Sequence, residues 1–186
     1  MLSRKVFWSV TIALAVVGVA SGALLGNTVF NQPTHTSYAA WKEVFESPSH
    51  LAQRVDAVVL AKAVGVEPGR IVYSSNREDA LPFEVVQFEV VRGIKGAAVG
   101  ERVPVERAAG NITIDGGAYE IGATYLLFLK QQEEGPYFYQ VNHQGRYLVD
   151  KGRLYAAAPE DSVASFFEGR PVAEGLGLVR GYLREN

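Results

Sequence analysis

The sequence predicts a mainly β fold, a small barrel with short flanking helices, preceded by an N-terminal transmembrane helix. Residues 83–96 alternate apolar and polar side chains with a period of two, which is typical of a half-buried strand. Several shorter segments of the same kind precede and follow this one. Residues 6–25 carry no charged side chain, and at about 1.5 Å per residue they reach across a bilayer core of roughly 30 Å.

The segment 83–96 is the longest strand that the pattern predicts. Its apolar residues Val86, Phe88 and Val90 fall on one face, which we expect to face the core. Gln87 and Glu89 fall on the opposite face and are expected to contact solvent. Two glycines near its end predict a turn over Arg92–Gly96.

Composition limits the class of protein. Hydrophobic residues make up 48% of the 186 and charged residues 20%, so the chain can bury a core. The net charge of −2 gives no basic excess, and we expect no nucleic-acid partner. The chain has no cysteine, which excludes disulfides, thiolate nucleophiles and cysteine-based zinc sites.

The N-terminal region divides into an anchor or signal segment, residues 1–25, and a polar tether, residues 26–37. Arg4 and Lys5 precede the apolar run, so the positive-inside rule places residues 26–186 outside the cytoplasm. The run is longer than the core of a typical signal peptide, which favours a single-pass membrane anchor. A secreted chain is the alternative, because small residues at 21–23 and 37–39 resemble cleavage sites.

Residues 38–186 are expected to form the extracytoplasmic domain. The predicted strands before and after the central one are 56–66, 102–107, 124–130, 137–141, 146–149 and 153–157. Val103 and Val105 are expected to face the core, and the strand 124–130 is apolar on both faces, which predicts that it is covered on both. Glu67-Pro68-Gly69 predicts a turn, after which Ile71–Tyr73 can resume the strand, and hairpins are predicted at Asp115-Gly116 and at Asp150-Lys151-Gly152. The predicted helical segments are 38–46, 49–55, with Ser49 as its cap, and 160–186.

No constellation of residues in the sequence predicts catalysis or a metal site. His35, His50 and His143 fall in three separate segments, without the spacing that brings metal ligands together. No Gly-x-Ser-x-Gly nucleophile motif occurs. Glu133 and Glu134 are expected to form a solvated loop tip rather than an acid–base pair. We therefore expect no catalytic residue, no metal and no cofactor.

Aromatic residues concentrate near the C-terminal strands and predict a candidate binding surface. Its members are Tyr137, Tyr139, Tyr147 and Tyr155, with Arg146 and Arg153 at the rim. Tyrosine offers a large contact area, and arginine pairs with carboxylate or phosphate groups. The alternative is that these rings pack the barrel beneath the C-terminal helices through Phe166, Phe167 and Leu178.

Three segments of the sequence, residues 56–64, 88–96 and 122–129, follow one another in an order that is found in a known family. With these segments the chain resembles the netrin-like modules, which include the tissue inhibitors of metalloproteinases. It is also similar to cysteine-free exported bacterial proteins. The resemblance implies an OB-fold barrel, a five-stranded Greek-key form. Those inhibitors block a catalytic metal with an N-terminal cysteine, and the absence of cysteine here means that this mechanism is not implied.

The sequence thus predicts a non-enzymatic, membrane-tethered extracytoplasmic domain that binds a protein or a cell-envelope component. Its expected partners are the membrane, through residues 6–25, and another envelope or surface protein. Two alternatives stay open. One is a hydrolase whose carboxylates meet only in the fold, about 5–9 Å apart in a cleft. The other is a structural subunit of a membrane assembly.

Overall fold

The computed structural model describes residues 43–73, 79–109, 117–133 and 135–185. Seven strands are named here in chain order: β1 (Ala57–Tyr73), β2 (Ala80–Lys95), β3 (Arg102–Ala108), β4 (Thr124–Gln131), β5 (Phe138–Gln140), β6 (Arg146–Asp150) and β7 (Arg153–Ala156). The helices are α1 (Pro48–Arg54) and α2 (Val172–Arg184), with 3₁₀ turns at His143–Gly145 and Ala164–Phe167. The described part of the chain is therefore mainly β, as the sequence predicts.

Five strands close into a ring. β1 pairs with β2, β2 with β3, and β4 with both β5 and β1, all antiparallel. One parallel pairing, Val105 opposite Phe138, joins β3 to β5 and completes the order β1-β2-β3-β5-β4-β1. β6 continues the sheet along the edge of β4 that also carries β5, and β7 forms a hairpin with β6.

The interior of the ring is an apolar core, which we call the inner core. Small residues of β1 line one side of it, namely Ala57, Val59, Ala61 and Ala63. They face larger side chains from the other strands, including Phe88, Val105, Tyr125 and Leu127. The small side chains of β1 leave room for the rings of Phe88, Tyr119 and Tyr125, which meet edge to face.

A second core, the outer core, lies between the opposite face of the sheet and the helices. β1 and β4 contribute Val58, Leu126 and Phe128 to it, and α2 contributes Leu176 and Val179. Since residues 125–129 of β4 are buried without interruption, this strand faces both cores. The sequence prediction of a strand that is covered on both faces is confirmed.

Other predictions for the strands are also confirmed. Val86, Phe88 and Val90 of β2 are buried and Glu89 is exposed, so the central strand faces as expected. Val103 and Val105 of β3 are buried in the inner core. The predicted hairpin of β6 and β7 is present, and its turn at Lys151–Gly152 has positive φ angles of 46° and 76°.

The predicted turn at Glu67-Pro68-Gly69 is wrong, because β1 continues through it to Tyr73. At these residues the pairing of β1 with β2 shifts in register, between Pro68 and Ile71, but the strand does not reverse its direction. Gly69 is required at this point: a Cβ atom would lie 2.9 Å from the carbonyl oxygen of Phe83 on β2. Pro and Gly thus mark an irregularity of the strand.

Two predictions at the N-terminal end of the domain are also wrong. Ser47, not Ser49, caps α1, and its hydroxyl accepts a hydrogen bond of 3.1 Å from the His50 amide. Pro48 occupies the first turn of the helix, where its missing N–H costs nothing. Residues 43–46, the described part of the predicted helix 38–46, are not helical.

Some predictions fall outside the described residues, namely the anchor at 6–25, the tether at 26–37 and the hairpin turn at Asp115-Gly116. Among the residues that the structure describes, no helix has the length and apolar composition that a membrane span needs.

Candidate binding surface

Tyr147, a predicted binding residue, is fully buried in the outer core. Its ring meets those of Phe128 and Phe167 edge to face, with centroids 6.0 and 5.3 Å away. Its hydroxyl donates a hydrogen bond of 2.8 Å to the carbonyl of Gln144. Burial away from water raises the pKa of the Tyr147 hydroxyl, so the side chain stays neutral. Tyr147 therefore packs the domain, as the alternative sequence interpretation has it, and offers no surface to a ligand.

Arg146 is likewise buried, and its guanidinium contacts other parts of the domain. Its guanidinium donates hydrogen bonds of 2.6 and 2.8 Å to the carbonyls of Gly117 and Ala118. The same group lies over the rings of Tyr119 and Tyr125, at 4.1 and 5.1 Å from their centroids. Arg146 of β6 thus holds residues 117–118, which precede β4, by hydrogen bonds. It does not lie at the rim of the predicted binding surface.

The remaining predicted binding residues do not join these two. Tyr155 lies opposite Leu148, whereas Tyr147 lies opposite Ala156, so the two tyrosines of the hairpin occupy opposite faces. Tyr155 and Arg153 are exposed, and Arg153 donates a 2.6 Å hydrogen bond to the Gly169 carbonyl. Tyr137 and Tyr139 are half-buried beside and within β5. A binding role for these four stays a prediction.

In the part of the chain that the structure describes, a different region presents the largest group of exposed apolar side chains. It consists of Val64–Tyr73 of β1 and Ala80–Glu84 of β2, which we call the arm. β4 stops pairing with β1 at Lys62, and a last pair of hydrogen bonds joins Ala63 to the chain before β4. Within the described residues, β1 then pairs with β2 alone. Its side chains Val64, Val66, Ile71, Val72 and Tyr73 are 37–57% exposed.

The register assigns three of these side chains to one face. Val66 lies opposite Val86, Ile71 opposite Pro82, and Tyr73 opposite Ala80. Residues 80, 82 and 86 of β2 share a face, because side chains alternate along a strand. Val86 belongs to the inner core, so this face of the arm continues the inner side of the ring beyond its closed part. We call it the inner face of the arm.

The opposite face of the arm is partly covered by a charged side chain. The Arg70 guanidinium lies 5.4 Å from the centre of the Phe83 ring and donates to Oε2 of Glu106 at 3.1 Å. Gln132 donates to the same oxygen at 2.7 Å. The Glu106 side chain is only 2% exposed, so these donors compensate for the removal of its charge from water. Among the described residues, this face is thus partly covered, whereas Val66, Ile71 and Tyr73 are exposed on the inner face.

The sequence does not predict the arm as a binding region, because Glu67-Pro68-Gly69 predicts a turn there. The sequence signal for it is the β-branched and aromatic composition of Ile71–Tyr73, where the strand is expected to resume as one alternative. That the two strands run to 17 and 16 residues is seen only in the structure.

The described histidines have local partners. Nε2 of His143 lies 3.3 Å from Oδ2 of Asp161, and the His50 ring packs edge to face against Phe45. In the described ranges, no three His, Asp or Glu side chains are grouped so that they could hold a metal ion.

Comparison of this chain with protein-family models, curated proteins and solved structures finds no significant match.

Proposed function

We propose that the chain is a non-enzymatic binding module, held at the outer side of a membrane by residues 6–25, that recognises a partner through the arm. The observation that carries this proposal is the exposure of Val66, Ile71 and Tyr73 on one face of a two-stranded extension. Soluble proteins rarely expose several large apolar side chains together unless the surface binds something.

The order of the ring supports an OB-like barrel as the finer description of the fold. An OB fold is a five-stranded Greek-key barrel that binds ligands along strands 2 and 3 and with the loop between strands 1 and 2. The ring here has five strands, and the arm lengthens the β1–β2 connection. The arm therefore extends an element that serves as a binding element in such barrels.

The chemistry of the inner face favours a protein partner over other envelope components. Its large exposed apolar side chains are two β-branched residues and a tyrosine, Val66, Ile71 and Tyr73. Apolar and aromatic side chains are typical of the centre of protein interfaces. A nucleic acid would require basic side chains to neutralise its phosphates, and the chain has a net charge of −2. A surface or envelope protein is the partner that we propose.

The binding role can be tested with a matched pair of substitutions. Ile71 and Ile121 are both isoleucine and are 54% and 50% exposed, but only Ile71 lies on the arm. We expect Ile71→Ser to abolish cross-linking of the full-length chain to its partner in native membranes. Ile121→Ser should leave the cross-linked product unchanged, because it removes the same apolar group elsewhere.

Two results would contradict a binding role for the arm. One is an unchanged cross-linked product for Ile71→Ser and Tyr73→Ser alike. The other is an equal loss of the cross-linked product for Ile71→Ser and Ile121→Ser, which would indicate nonspecific hydrophobic association. Thermal unfolding serves as the control, because both isoleucines are exposed and neither change should alter the melting temperature appreciably.

The membrane tether is tested separately by fractionation and protease treatment of intact cells or spheroplasts. We expect the chain in the membrane fraction, with residues 26–186 accessible to protease from outside. A soluble mature chain that begins near Leu24 or Ala40 would show that the segment is cleaved, and the arm would then belong to a secreted protein.

A further inference from the structure

The segment Glu43–Phe45, which we call the strap, is attached to the domain through its backbone. Its backbone groups form hydrogen bonds with side chains of the domain, where a strand would pair with the backbone of a neighbouring strand. Oε1 of Gln144 accepts a hydrogen bond of 3.0 Å from the Phe45 amide, and Nε2 of Gln144 donates one of 3.3 Å to the Phe45 carbonyl. A neighbouring β-strand offers a backbone the same two groups, an acceptor and a donor. The side chain of Gln144 thus takes the place of a pairing strand.

Contacts at Glu43 hold the other end of the strap. Nδ2 of Asn142 donates to the Glu43 carbonyl at 3.0 Å. The Glu43 carboxylate pairs with the Lys130 ammonium of β4 and lies 3.6 Å from Nε of Arg54 in α1. The hydrogen bond from Lys130 and the two positive charges hold the pKa of Glu43 below its usual value, so this carboxylate is ionised at neutral pH.

The side chains of the strap alternate as those of an edge strand do. Phe45 is buried in the outer core, whereas Val44 is exposed. Phe45 is the strap's member of that core, and the His50 ring packs edge to face against it, with the ring centroids 5.7 Å apart. The strap is thus a short piece of chain with one buried apolar side chain and a few polar contacts.

Gln144 is itself held in place, which makes the site for the strap preformed. Its backbone amide donates to Oδ1 of Asn142 at 2.7 Å, and its Nε2 lies 3.1 Å from both carboxylate oxygens of Asp161. Asp161 also accepts hydrogen bonds from the amides of Val163 and Ala164, at 2.8 and 3.0 Å. These contacts come from the domain and do not involve the strap.

We propose that the strap is a releasable device: it opens separately from the rest of the domain and so sets the reach of the chain that precedes it. Segments that lack a backbone ladder and carry few buried side chains open at a lower free energy than core strands do. When the strap is closed, the contacts described here hold the chain to the domain from Glu43 onward. When it opens, they hold it from Ser47 onward, and the release of about four residues adds roughly 14 Å of reach.

Hydrogen exchange of the full-length chain in detergent micelles tests this proposal. In the native chain, we expect the Phe45 amide to exchange at least about 100-fold faster than the Val59 amide of the ring, because the strap opens on its own. Gln144→Leu introduces an apolar side chain of similar size and so removes both hydrogen-bonding atoms. It should speed exchange at Phe45 by about 10-fold or more and leave Val59 unchanged.

A matched control and a second variant make the outcome decisive. Gln132→Leu is the same substitution at a glutamine that contacts Glu106 and not the strap, and it should leave the exchange of Phe45 unchanged. Lys130→Gln removes the ion pair with Glu43 and should speed exchange at Phe45 even if Gln144→Leu fails to fold. Equal exchange rates at Phe45 and Val59 in the native chain would overturn the proposal. So would an effect of Gln144→Leu or Lys130→Gln that is the same at both amides.

Discussion

The two halves of β1 belong to one strand but have opposite surroundings. Ala57–Ala63 forms part of the ring, and four of its side chains, Ala57, Val59, Ala61 and Ala63, are fully buried in the inner core. Val64–Tyr73 forms part of the arm, where Val66 and Tyr73 are 46% and 57% exposed. Both halves contain β-branched residues, which favour strands.

The number of neighbouring strands explains the difference. The first half has β4 on one side and β2 on the other, and the ring closes over its inner face. Among the described residues, the second half has β2 alone as a strand neighbour. A two-stranded hairpin buries little surface by itself and is stable only when something packs against it. In this molecule Arg70 and Glu106 support one face of the arm, and the partner that we propose would cover the other.

The contrast between the ring and the arm assumes that the inner core is the main source of the stability of the domain. Phe88→Ala tests this assumption. Phe88 is fully buried, and its ring meets those of Tyr119 and Tyr125 edge to face. We expect the substitution to lower the free energy of unfolding by about 3–5 kcal/mol, because it leaves a large cavity. Urea unfolding of the full-length chain in micelles measures this. Glu89→Ala, on the exposed face of β2, should change it by less than about 0.5 kcal/mol.

A matched pair of valines on β1 tests the comparison directly. Val59→Ala removes two methyl groups from the inner core and should cost about 2 kcal/mol of stability. Val66→Ala removes the same groups from the arm, where they contact water, and should cost less than about 0.5 kcal/mol. Comparable losses in urea unfolding would mean that the arm is covered in the isolated chain, and the contrast between the two halves would fail.

The smallest expected effect concerns the supported face of the arm. Arg70→Met removes a donor to the buried carboxylate of Glu106 and should cost about 1 kcal/mol, the lower end for a charged hydrogen bond, because Arg70 itself is largely exposed. Adding Glu106→Leu should restore part of that loss, since the buried charge is then absent. Urea unfolding of the single and double variants gives both values. A double variant that is less stable than Arg70→Met would argue against this account of the pair.

The sequence was informative where burial depends on one strand and its own alternation. Residues 86, 88 and 90 of β2 face the core as their alternation predicts, and the run of apolar residues in β4 predicts a strand covered on both sides. The pattern is local in these cases, because each side chain of a strand points to the face opposite that of its neighbours. The β6–β7 hairpin also follows from local signals, a Lys-Gly turn between two β-like runs.

The candidate sites could not be predicted in the same way. Tyr147 and Tyr155 look alike in the sequence, yet one is covered by Phe128 and Phe167 and the other is exposed. Gln144 lies in an unremarkable polar segment, and its contact with Phe45 joins residues 99 positions apart. Which residues come together across such a distance depends on the packing of the whole chain.

The amino-acid sequence by itself determined the β class of this domain, the inward face of β2 and the β6–β7 turn, where Gly152 has a positive φ. These depend on side-chain alternation and backbone sterics, which act between near neighbours. Only the tertiary structure decided that β1 leaves the ring after Ala63, that Arg146 is internal and that the strap is held by Gln144. Each of these depends on which distant segment lies beside a residue, and neither alternation nor local propensity carries that information.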